Sequence, residues 1–162
     1  LYLINQELEQ IRTTVFRQLM FAEFELYTHE SFEKGIPLTA EDYNAKWHEL
    51  NVKYFGPDMV VDNDIDIEWA RIPHFYHSPF YVYQYATSYA ASSKIYKEVI
   101  ELEGLERIEK VNNFIELLKS GGNADPIEQL KKAGADLTDK STIEAVAAKL
   151  SNLVDILEKE LN

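Results

Sequence analysis

The sequence predicts an all-α fold of about six helices, and three observations carry that prediction. Apolar residues recur at spacings of three and four through most of the chain. The breaks between those runs hold helix-ending glycines and helix-starting Thr, Ser or Asp, two of them followed by proline. No stretch shows the alternation of a half-buried strand.

The first run places Ile4, Leu8, Ile11, Val15 and Leu19 on one stripe and Phe16, Met20, Phe24 and Tyr27 on a second. Two stripes predict a helix buried on two sides. It should run to about Lys34, where Gly35 supplies a left-handed stop and Pro37 blocks continuation. Neither a methionine nor a capping residue precedes this helix, so the chain reads as a piece of something longer. In "LTAEDYNAKWHELNVKYFGP", Thr39 is placed to cap, with Asp42 three residues on. Tyr43, Trp47, Leu50 and Tyr54 then follow at helical spacing, ended by Gly56 and Pro57.

"DMVVDNDIDIEWARIPH" shows no 3.6-residue period and reads as an irregular connection. Ser78 as cap and Pro79 as first helical residue predict a helix from about Pro79 to Glu103. Its middle, Ala86 to Ser93, is mostly small and lets another element approach closely. Leu105, Ile108, Val111, Ile115 and Leu118 form the next helix, closed by Gly121 and Gly122. Asp125 and Pro126 open a short helix stopped at Gly134. The last, from about Ser141, repeats Ile143, Val146, Leu150, Leu153 and Leu157.

Composition narrows the function classes. The 162 residues fit one domain, large enough to bury roughly two-thirds of its unfolded surface. With 28 acidic against 16 basic residues the net charge is −12, which repels phosphate backbones and argues against a nucleic-acid partner. There is no cysteine, hence no disulfide and no thiolate metal site, which fits a cytoplasmic protein. No apolar run approaches the ~20 residues of a membrane span, and "LYLINQELEQ" lacks the basic start of a signal peptide.

Motifs for self-contained catalysis are incomplete. "HESFE", from His29 to Glu33, has a glutamate where H-E-x-x-H needs its second histidine. His74 and His77 form H-x-x-H, but the helix start expected at Ser78 and Pro79 breaks the shared face that ligation requires. "DNDID", Asp62 to Asp66, spaces acids like a calcium loop but has Ile67 where the loop needs glycine. No nucleophile elbow, phosphate loop or dinucleotide fingerprint occurs.

The segment from Arg71 to Tyr96 holds six of the ten tyrosines and two of the four histidines. At about 100° per residue, Tyr81 and Tyr85 share one face of the expected helix, while Tyr83 projects elsewhere with Phe80 and Thr87. Buried phenols need hydrogen-bond partners, so the cluster is either a core with satisfied hydroxyls or the wall of a wet cleft. As a wall, tyrosine and histidine donate to an oxygen that becomes negative in a transition state. That chemistry needs a nucleophile from elsewhere.

"RIPHFYHSPFYVYQYATSYAAS" resembles the signature of the oligoendopeptidase F family of zinc metallopeptidases, relatives of thimet oligopeptidase and neurolysin. "VFRQLMFAEFE" and "LLKSGGNADPIEQLKKAGADLT" are similar to that family's segments on either side, in the same order. The resemblance implies the C-terminal part of a mostly helical peptidase catalytic domain that admits oligopeptides and excludes folded proteins. It also implies zinc held by the histidines of H-E-x-x-H and a further glutamate, none of them in this chain. They would lie in an N-terminal remainder of the same enzyme, without which this chain should be inactive. By position, His74 matches the family's transition-state histidine, Tyr83 its oxyanion tyrosine and Tyr76 its loop tyrosine. Thimet relatives place a further tyrosine where Phe80 stands, which leaves neighbouring Tyr81 as a secondary substrate contact. The alternative reading is a non-catalytic helical module that binds a partner helix through its aromatic surface or the Ile143 to Leu157 stripe.

Overall fold

The structure, a computed structural model, describes residues 1–161, and among them there is helix and no strand. The backbone divides into two compact units, one from Arg12 to Ala86, the other made of Leu1–Ile11 and the described residues 87–161.

In the first unit, the long opening helix is interrupted. Helix α1 (Tyr2–Ile11), which belongs to the second unit, leads into a π-helical turn at Arg12–Phe16 and then into α2 (Arg17–Glu33). Thr13, Thr14 and Val15 are consecutive β-branched residues, which crowd the preceding turn of an α-helix and favour its widening here. The Gln18 side-chain amide donates to the Thr13 carbonyl at 3.3 Å. Helix α3 (Ala40–Phe55) starts on the expected capping box: Asp42 N–H donates to Thr39 Oγ1, and Thr39 N–H donates to Asp42 Oδ2 at 2.8 Å.

The stretch expected to be irregular is instead a 3-10 helix over Asn63–Arg71. Its three-residue repeat escapes a search for a 3.6-residue period. Asp66 and Trp69, one such turn apart, both reach α3: Asp66 Oδ1 lies 2.7 Å from His48 Nδ1, and Trp69 Nε1–H donates to Asn44 Oδ1 at 2.8 Å. Beneath them sits an aromatic core of Met20, Phe21 and Phe24 from α2 with Trp47 and Leu50 from α3, closed by Ile72 and Val82.

The remaining helices divide between the two units. Helix α4 (His74–His77) is a single turn in the first unit, and α5 (Tyr83–Glu101) begins there and continues in the second. Then come α6 (Gly104–Ser120), α7 (Pro126–Lys132) and α8 (Lys140–Leu161). Joined across its π turn, the α1–α2 rod with α3, α5, α6, α7 and α8 makes the six rods the spacing predicts, and α4 is the addition. Asp125 caps α7 as expected, accepting from Ile127 N–H at 2.9 Å. The small residues of α5 do bring a neighbour close: Ala91 and Ile95 pack with Ala133 and Ala135, flanked by Leu117, Leu130 and Leu137. Gly134 has φ +103°, a conformation costly for any side chain. Tyr89 of α5 donates to Glu7 of α1 at 2.8 Å, and Lys149 of α8 bonds both.

Candidate functional site

The Arg71 to Tyr96 segment does not start its helix where Ser78 and Pro79 predict. Ser78 instead closes α4, donating its N–H to the His74 carbonyl at 3.0 Å, and Pro79 follows as a helix stop. The helix carrying the tyrosines begins at Tyr83. Proline one or two residues past a helix end and proline at a helix start look alike in sequence, and only the surroundings decide between them.

Those surroundings are the core. Between His74 and Tyr76, Phe75 turns inward, its ring 5.8 Å from Phe21, 5.4 Å from Phe24 and 6.2 Å from Trp47. One inward residue in a one-turn helix leaves its neighbours facing outward. His74 is half-buried and Tyr76 exposed. Past Pro79, Phe80 takes φ +56°, the only non-glycine residue at positive φ among the described residues, at a cost of about 1–3 kcal/mol. The tyrosine helix then enters through a tight turn, in which Gln84 N–H donates to the Tyr81 carbonyl at 3.0 Å and Tyr85 N–H to that of Val82 at 3.3 Å.

This path brings His74, Tyr81 and Tyr85 together. The Tyr81 ring stacks on the His74 imidazole with centroids 5.9 Å apart and planes 16° apart. Tyr85 meets His74 edge-on at 6.0 Å and Tyr81 at 5.5 Å, and its hydroxyl lies 3.4 Å from His74 Nε2. Neutral His74 accepting there carries its proton on Nδ1; protonated His74 donates there instead. Tyr81 and Tyr85 do meet, but not as two residues of one helix face, because Tyr81 lies ahead of α5 in the turn that leads into it. Tyr76 lies on α4 and donates to the Ala70 carbonyl at 3.2 Å. Tyr83 opens α5 and is 46% exposed.

Tyr85 is not among the residues that the family resemblance singles out, although its distance of four from Tyr81 was a usable signal. It also missed Glu25, which is buried in α2 and accepts the Phe80 N–H at 2.8 Å. Nothing local in the sequence marks a bond spanning 55 residues.

His74 and His77 share the single turn of α4, so the expected break in their common face is absent. Even so, no group of three or more His, Cys, Asp or Glu among the described residues could hold a metal ion. The trio around His74 has donors and aromatic faces but no metal-binding set.

The sequence model of Peptidase family M3 matches residues 1–148. The chain belongs to this family. Over 161 residues it is 44% identical to Oligopeptidase PepF of Bacillus subtilis, covering 99% of this chain and 23% of that protein. It is 40% identical over 157 residues to the plasmid-encoded oligoendopeptidase F of Lactococcus lactis subsp. cremoris, covering 97% of this chain and 25% of the relative. The crystal structure of oligoendopeptidase-F from Enterococcus faecium superposes with a TM-score of 0.90 at 40% identity, over 98% of this chain and 29% of that one. The chain therefore spans about a quarter of the length of the relatives it matches. Membership of family M3 bears out the resemblance read from the tyrosine-rich segment and its flanks.

Proposed function

We propose that the chain is the C-terminal part of the catalytic domain of a zinc metalloendopeptidase that hydrolyses oligopeptides. On this reading it supplies substrate contacts and hydrogen-bond donors rather than the metal centre. Zinc would contribute the Lewis acid and the activated water, and on this reading its ligands belong to the N-terminal remainder of the enzyme; among the described residues no group of three or more His, Cys, Asp or Glu could hold it. The isolated chain is then inactive. No described helix is long and apolar enough to cross a membrane, and the proposed setting is the cytoplasm.

Within that frame, His74 and Tyr83 donate to the oxygen that gains negative charge when a peptide carbonyl becomes tetrahedral. Tyr76 assists from the α4 turn, and Tyr81, stacked on His74, holds the substrate backbone or a side chain. Tyr85, beside Tyr81, orients the imidazole through its edge-on contact and its hydroxyl. The observation that supports this reading is a cluster of three rings, in which Tyr81 and Tyr85 touch each other and both meet His74, with Tyr83 two residues beyond Tyr81. A family match over residues 1–148 favours it over a non-catalytic interaction module.

The test uses the full-length enzyme. Tyr83→Phe should lower kcat by about 10²- to 10³-fold, the scale for losing one oxyanion donor. Zinc content should stay unchanged. A near-normal kcat in that variant would sink the assignment.

A further inference from the structure

We propose that Glu25 is a positioning residue: it fixes Phe80 at positive φ and thereby sets the direction in which the chain presents Tyr81 and Tyr83. The proposal rests on reading those phenols as substrate-facing. It explains a buried acid that no other part of the reading uses.

Glu25 is 3% exposed and lies on α2 beside Phe24, in a stretch that otherwise contributes apolar residues to the core. A buried carboxylate is costly unless it is hydrogen-bonded, and an apolar residue would pack there with less penalty. Its Oε1 accepts the Phe80 N–H at 2.8 Å. One helical turn on, the His29 ring lies 4.5 Å from the Phe80 ring. Residues four apart on one helix thus grip both the backbone and the side chain of the single non-glycine residue that the described structure holds at positive φ.

The consequence is geometric. Without the acceptor, Phe80 relaxes to the ordinary φ of about −60°, a rotation of more than roughly 100°. Tyr81 is the next residue and Tyr83 the third. Such a rotation takes Tyr81 off the His74 ring and re-aims the first turn of α5, and it strains the seat of Val82, which closes the aromatic core beneath. Strained backbone held by a buried side chain is a recurrent way of pre-setting a site.

In the full-length enzyme, Glu25→Gln keeps an oxygen acceptor, Glu25→Ala removes it, and Phe80→Pro removes the donor and forbids positive φ from a half-exposed position. Glu25→Ala and Phe80→Pro should each lower kcat by about 10- to 10²-fold, the scale for misplacing a catalytic group by about 1 Å, with KM changed far less. Glu25→Gln should stay within about threefold of the parent enzyme, because its amide oxygen accepts the same N–H. Fluorine NMR of enzyme labelled with fluorotyrosine should show the Tyr81 signal moved in the two impaired variants and restored in Glu25→Gln. Phe80→Pro decides the matter where Glu25→Ala fails to fold. An unchanged kcat in Phe80→Pro, or a Glu25→Gln variant as impaired as Glu25→Ala, overturns the proposal. Tyr83→Phe is measured alongside: normal kcat there sinks the phenol reading itself, whereas impaired Tyr83→Phe with normal Phe80→Pro sinks only the clamp.

Discussion

Phe75→Ala separates an anchored site from a merely adjacent one. Phe75 is the one side chain of α4 that enters the core, with ring neighbours Phe21, Phe24 and Trp47. Truncating a fully buried phenylalanine costs about 3–5 kcal/mol. Phe75 is only partly buried, so a cost below that range applies, about 2–3 kcal/mol. Loss of its edge-on contacts to Phe21 and Trp47 is included in that figure. At about 2–4 °C per kcal/mol for a cooperative unit of 150–250 residues, and less for a larger one, the melting temperature should shift down by up to roughly 5–10 °C. Because His74 and Tyr76 flank Phe75, kcat should fall too, by about tenfold or more at temperatures where the variant is still folded. Phe75→Leu, which retains apolar volume, should recover most of both losses. The assay is calorimetry of the full-length enzyme together with steady-state kinetics on a short peptide. A Phe75→Ala variant that loses the stability but keeps kcat would show that α4 holds its outward residues without the core, and would refute the reasoning.

Two further predictions concern the second unit. Gly134→Ala meets both a costly φ and a clash, since an added Cβ would lie 2.7 Å from Glu98 Oε2, the oxygen that pairs with Lys110 at 2.7 Å. It should cost about 1–3 kcal/mol, and Glu98→Ala in the same background should return the steric part; unchanged stability in the single variant would contradict this. The Lys149 ammonium, with the Tyr89 hydroxyl, holds the Glu7 carboxyl below its ordinary 4.5. A carboxyl lowered in the folded state stabilises above its unfolded value and loses that contribution as pH falls through the folded one. Melting temperature should therefore drop below about pH 4.5 more steeply in the parent than in Glu7→Gln. Identical acid profiles would exclude the contribution.

What the sequence made legible is what neighbouring residues decide. The Thr39 box, the Asp125 cap with Pro126 and the glycine stops each act within three or four residues, and each stands where it was expected. The misplaced elements are those settled by distant partners. The 3-10 helix is pinned by His48 and Asn44 of α3, and the break before α5 is held by Glu25. Pro79 illustrates the difference: its fixed φ suits a helix start equally well, and it became a stop because Phe75 drew the preceding turn onto the core. The site divides the same way. Tyr81 and Tyr85 meet as their spacing suggests, but through a turn before α5 and not on one helix face, and the stacking of His74 against Tyr81 depends on where α4 ends.

The most direct measurement compares a transition-state analogue with substrate. In the full-length enzyme, a phosphinic peptide matched to the substrate is titrated against the parent and against His74→Ala, Tyr81→Phe, Tyr83→Phe and Tyr85→Phe. Groups that bond the developing oxyanion act on the transition state and not on the ground state. The analogue's inhibition constant should therefore rise in proportion to KM/kcat across His74→Ala and Tyr83→Phe, with KM itself changing little. An analogue that binds those variants as tightly as it binds the parent, while kcat/KM falls, would contradict a role for this histidine and these tyrosines at the reacting carbonyl.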